Sequence, residues 1–117
     1  MQQISFFNDK AIDYAKEALV DLGYEDSIVI EAVVKENNTY EYNVWNYCIL
    51  EGIRVKKIVK SFTLEQFMKL VIYGLKLNDY NVHSLKEFIG DDYFYFEADV
   101  EKKEKSNSIQ KLSKVVK

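Results

Sequence analysis

The chain has 117 residues, 48% hydrophobic and 30% charged, with a net charge of −3. That length fits one domain, and nine Tyr, seven Phe and one Trp are enough large side chains for a core without a disulfide or metal staple. No apolar run approaches ~20 residues, which argues against a membrane-spanning helix, and Met1-Gln2-Gln3 lacks the basic start and apolar stretch of a signal peptide.

The single cysteine, Cys48, excludes an intramolecular disulfide and suits a reducing, cytoplasmic location. The absence of proline and the richness in Tyr, Asn, Lys and Ile match the habit of small phage or mobile-element proteins of low-GC bacteria. The charge is uneven. Residues 1–51 carry −7, residues 52–98 carry +1 and residues 99–117 carry +3. An acidic front half argues against a general nucleic-acid binder and suits a basic partner.

A first helix is predicted from Asn8, as N-cap, to Leu22, with Phe7 and Ile12 as a hydrophobic staple. Ala11, Ile12, Ala15, Ala18, Leu19 and Leu22 give its apolar stripe, and Gly23 suits the left-handed position after its end. Asp13, Glu17 and Asp21 fall on the solvated side and, with Glu25 and Asp26, form a candidate acidic surface.

Ser27 to Lys60 then reads as three antiparallel strands. A three-residue loop, Asn37 to Thr39, pairs Val34 with Tyr42 and Ala32 with Val44, and sets Lys35 across from Glu41. A turn at Glu51-Gly52 pairs Leu50 with Ile53, Cys48 with Val55 and Val44 with Val59 on a core face. The other face gathers Trp45 opposite Ile58, Tyr47 opposite Lys56 and Ile49 opposite Arg54. Both hairpins agree on phase, since a one-residue slip would exchange the faces.

The second helix opens with a capping box, Thr63 to Gln66, and a staple of Phe62 with Phe67. Its stripe is Leu64, Phe67, Met68, Val71, Ile72 and Leu75, and Gly74 suits close packing. A short helix is predicted from Ser84, with Glu87 completing a capping box, to Gly90. Tyr93 to Val100 alternates as a fourth strand. The predicted fold class is α+β: an antiparallel three- to four-stranded sheet packed by two main helices, in the order α-β-β-β-α-(short α)-β. One domain spans residues 1–100. Residues 101–117 form a flexible, polar, basic tail in which Ile109, Leu112, Val115 and Val116 suit a short amphipathic helix. No internal repeat is visible in the sequence.

Chemistry-bearing motifs are few. No cysteine or serine–carboxylate arrangement points to His83, the one histidine, and Cys48 falls on the core face as a packed thiol. Glu25-Asp26 and Asp91-Asp92 lack a ligand loop, and the four glycines are isolated. No catalytic residue, metal or cofactor is expected, and the chain reads as a non-enzyme.

The face of Trp45, Tyr47, Ile49, Arg54, Lys56 and Ile58 is therefore the candidate protein-binding site, because Trp, Tyr and Arg dominate contact surfaces. Its bland alternative is a second core layer with Lys and Arg stems laid over aromatics. The element order helix–three strands–helix resembles the double-stranded RNA-binding domain in layout. Where that family places a basic cluster this chain has Phe62-Thr63-Leu64-Glu65-Gln66, so RNA binding does not carry over. The order is also similar to that of small phage anti-CRISPR proteins that offer an acidic surface to a DNA-binding groove. That likeness implies an inhibitor whose acidic surface is the first helix with Glu25 and Asp26.

The expected function is a small cytoplasmic protein-binding module, an anti-CRISPR-like inhibitor of a host complex, whose partner is another protein or a second copy. The alternative is a small nucleic-acid-binding regulator using the aromatic-basic face through stacking and phosphate contacts.

Overall fold

A computed structural model describes residues 2–36, 39–89 and 94–103. Among them are strand β1 (Gln2–Phe7), helix α1 (Asn8–Asp21), β2 (Val29–Val34), β3 (Tyr40–Leu50), β4 (Ile53–Thr63), helix α2 (Leu64–Leu77), β5 (Tyr80–Ile89) and β6 (Phe94–Lys102). The class is α+β, as predicted, but the strands form two antiparallel sheets of three, ordered β1-β6-β5 and β2-β3-β4. The two helices pack on each other and cover both sheets. One buried cluster runs from Ala15 and Leu19 of α1 through Phe67 and Val71 of α2 to Ile30, Tyr42 and Val44 in one sheet and Phe96 and Val100 in the other. Stacking of Tyr40 on Phe94, at 4.6 Å between centroids, joins the sheets directly.

The topology contains a repeat that the residue types hide. The paths β1-α1-β2-β3 and β4-α2-β5-β6 are alike, and each hairpin completes its sheet with the first strand of the other path. Both helices have 14 residues. Their buried positions are Ala11, Ala15, Ala18 and Leu19 in one, and Phe67, Val71, Gly74 and Leu75 in the other, a constant offset of 56. The residues that follow the helices keep the offset, since Gly23 and Asp79 both have positive φ. Ala11 and Ala15 of α1 correspond to the larger Phe67 and Val71 of α2, so the pattern of burial repeats while most of the residues do not.

At the helix crossing a Cβ on Gly74 would lie 2.0 Å from the carbonyl oxygen of Tyr14, so the close approach requires glycine. α2 begins on the predicted capping box, with Thr63 Oγ1 accepting from the Gln66 amide at 3.2 Å and Gln66 Oε1 from the Thr63 amide at 3.0 Å. α1 ends in a Schellman turn, the Tyr24 amide reaching the Leu19 carbonyl and that of Gly23 the Val20 carbonyl.

The start of α1 differs from expectation. Phe7 is the N-cap, without a side-chain cap, and Asn8 is the first helical residue. The Asn8 side chain instead accepts from the Tyr42 hydroxyl. Phe7 is exposed and packs edge-on to Tyr95 rather than stapling Ile12. Phe6 takes the inward place, against Tyr14 and Phe96.

Four further expectations are corrected. The first strand, β1, was not foreseen: Ile4 and Phe6 alternate inward, and long-range pairing with β6 supplies the hydrogen bonds that six residues alone could not hold. The short helix from Ser84 is part of strand β5. Pairing with β6 and the inward side chains of Val82 and Leu85 override the local capping signal, and Gly90 lies outside the described residues. In β2 the faces are as expected but the register is two residues away: Val34 meets Tyr40 and Ala32 meets Tyr42. Lys35 still reaches Glu41 at 3.3 Å, while the loop residues Asn37 and Asn38 lie outside the described set. Finally, a bulge between Val44 and Trp45 makes Lys60, not Val59, the partner of Val44. Tyr93, the Asp91-Asp92 pair and residues 104–117, with the predicted tail helix, are outside the described residues.

Candidate functional site

Each helix of 14 residues covers about 21 Å at ~1.5 Å per residue. Strands β3 and β4, of 11 residues each, run for about 36 Å. The excess must leave the core, and it does so at the β3–β4 turn. β2 begins at Val29, opposite Trp45, so beyond Trp45 the sheet narrows to a two-stranded ribbon. This ribbon is the link between the two alike halves, and neither helix covers it.

Asn46 marks the ribbon's base. Its Nδ2 donates to Glu25 Oε2 at 3.1 Å, and its Oδ1 accepts from Ser27 Oγ at 3.2 Å and from the Tyr47 amide at 2.9 Å. The loop after α1 is thereby tied to β3. Asn46, polar where Tyr42, Val44 and Cys48 occupy the same alternating positions of the sequence, is thus the border between core and projection.

The structure brings Trp45, Tyr47, Ile49, Arg54, Lys56 and Ile58 onto one face in the predicted cross-strand pairs. Along β3 their exposure grows outward. Trp45 is half-buried, and the Lys56 ammonium lies 4.2 Å from its ring centroid while pairing with Glu31 at 3.0 Å. Arg54 stacks on Tyr47 at 4.1 Å, and Ile49 is 69% exposed. Trp45 Nε1 is buried with no hydrogen-bond partner among the described residues. Near the base a lysine closes over Trp45 while its neighbour Ile58 stays 45% exposed, and the face is most open at Ile49 toward the tip.

The opposite face of the ribbon corrects the expectation of a continuous core. Cys48 is exposed, Leu50 and Ile53 are 63% and 66% exposed, and Val59 is also open, as is Val34 at the other end of the sheet, opposite Tyr40. Val55 is half-buried. Beside Val59, a recess of about 310 Å³ is lined by Leu22, Tyr24, Ile28 and Asn46. Sequence alternation assigned these residues to the right face but could not show that the helices end before reaching them. The comparison of helix and strand lengths holds that signal.

The acidic residues are divided. Asp13, Glu17, Asp21 and Asp26 line a groove of about 590 Å³ together with Lys10 and Lys16. Glu17 accepts from Asn78 Nδ2 at 2.6 Å and Asp21 from the Tyr73 hydroxyl at 2.5 Å, while Glu25 is bound to Asn46. The bond to Asp21 holds the Tyr73 phenol above its ordinary value. The groove's charge is thus partly offset by its own lysines, and two of its carboxylates are engaged in internal hydrogen bonds.

His83 is the extra residue of a bulge in β5, with Nε2 3.7 Å from Glu101. No group of three or more metal-ligating side chains occurs among the described residues. No helix is long and apolar enough to cross a membrane among them. Comparison with protein-family models, curated proteins and solved structures finds no match to this chain.

Proposed function

We propose that the chain is a non-enzymatic protein-binding module and that the projecting β3–β4 ribbon is its contact surface. The observation that carries this reading is the exposure of Ile49, Leu50 and Ile53 together at the tip, on both faces of one ribbon. Side chains that contribute nothing to the core and stand clustered in water are the usual mark of a contact site. Arg54 and Tyr47, stacked at the rim, add the residue types that dominate binding energy.

The nucleic-acid alternative finds less support. The face of Trp45 that a base would stack on is occupied by Lys56, and that lysine is paired with Glu31. The narrower idea of an inhibitor that mimics nucleic acid rests on the carboxylates of α1, three of which, counting Glu25 just beyond the helix, are engaged internally. The ribbon is the stronger candidate.

The test is affinity capture with the wild-type chain beside Ile49→Ser/Ile53→Ser and, as a control elsewhere, Phe7→Ser. A partner lost with the ribbon variant and kept with the control supports the reading. A partner kept by the ribbon variant opposes it.

A further inference from the structure

We infer that the partner presents an acidic extended segment, which adds as a fourth strand to the free edge of β4. The inference rests on the ribbon being the contact surface and names the chemistry of what it contacts. β4 is the outer strand of its sheet, and no described strand pairs with its other side. Such an edge is a template for another strand, with backbone bonds giving affinity and side chains giving selectivity.

The charge of this edge selects the occupant. From Ile53 to Lys60 it carries Arg54, Lys56, Lys57 and Lys60 and no carboxylate. Lys56 is neutralised by Glu31, while Arg54, Lys57 and Lys60 have no ion-pair partner among the described residues. Arg54 and Lys56 stand on the face of Trp45 and Tyr47. Lys60 stands opposite Val44, across the bulge, on the other face. An incoming strand would meet cations on both sides of its backbone, interleaved with Ile53, Val55 and Ile58.

A second copy does not fit this edge. Antiparallel pairing of β4 with itself would set its cations against one another, and like charges directly opposite are unfavourable. Lysines on an edge strand suppress self-pairing for the same reason. The same charges attract a strand rich in Glu or Asp, so one device excludes the wrong partner and selects the right one.

The test uses acetylated, amidated peptides of alternating Glu-Val and Lys-Val, titrated into the isotopically labelled chain and followed by backbone amide shifts. The Glu-Val peptide should shift amides of residues 53–60, at least about tenfold more tightly than Lys-Val, and weaken as salt rises. Lys57→Glu/Lys60→Glu should reverse the preference. Equal response to both peptides, no response at millimolar peptide, or shifts confined to other elements would overturn the proposal. Loss of the captured partner in Ile49→Ser/Ile53→Ser, with no peptide preference, would leave the ribbon as contact surface and remove only the acidic strand.

Discussion

The hydroxyl of Tyr42, near the start of β3, donates a 2.9 Å hydrogen bond to the side-chain carbonyl of Asn8 at the start of α1. The same ring lies flat on Phe67 of α2, with centroids 3.6 Å apart. One buried tyrosine thus fixes a strand against both helices. Tyr42→Phe should cost about 1 kcal/mol at neutral pH, because the carbonyl of Asn8 loses its donor.

Burial also pushes the Tyr42 phenol far above its ordinary value of 10.0, with Tyr40 adding to the shift. Tyr14 is raised as well, by burial first and then by Tyr80, Glu17 and Asp13. A group held above its unfolded value binds its proton more tightly in the folded chain. Its contribution is complete below about pH 10 and is lost as pH rises beyond that. Denaturant midpoints measured from neutral to alkaline pH should fall above about pH 10, and Tyr42→Phe should flatten the fall.

Gly74→Ala would raise helix propensity by ~1 kcal/mol at an ordinary site. Here the added methyl meets the backbone of Tyr14. The expected result is a loss of ~1–3 kcal/mol or more, since a backbone carbonyl in a packed helix pair cannot yield as a flexible side chain does. A urea unfolding curve gives the sign directly.

Trp45 separates shape from hydrogen bonding. Its indole N–H is buried without a partner among the described residues, so Trp45→Phe removes an uncompensated donor along with some apolar area. Stability should change by less than about 1 kcal/mol. Trp45→Ala strips the half-buried ring from beneath Lys56 and should cost about 1–2 kcal/mol. Thermal melts of the two variants beside the wild type make the comparison.

Generic duplex DNA or RNA should bind weakly or not at all at about 150 mM salt. The front half of the chain is acidic, and Lys56, the lysine nearest the one tryptophan, is already paired. A gel shift showing tight, salt-sensitive binding that Arg54→Ala and Lys56→Ala weaken would favour the regulator reading instead.

Much of the fold was legible because the strongest signals were local and doubled. The box of Thr63 and Gln66, the stripe of Phe67, Val71 and Leu75, and the Glu51-Gly52 turn each combine a capping or turn rule with periodicity. What failed depended on distant partners. Gln2–Phe7 is too short to announce itself, and Ser84 with Glu87 imitates a helix start inside a strand held by β6. For the candidate site, alternation placed Trp45, Tyr47, Ile49, Arg54, Lys56 and Ile58 on one face. It could not tell that Cys48, Leu50 and Ile53, on the other, lie past the reach of the helices. Asn46 was the visible clue, a polar break where the core ends.

Hydrogen–deuterium exchange of the captured complex against the free chain tests the ribbon most directly. If the ribbon is the contact surface, slowed exchange on binding concentrates in residues 46–60, with the helices unchanged. Protection instead on the acidic groove of α1, or around Phe7, Phe88 and Tyr95 on the other sheet, with the ribbon unaltered, would contradict the account.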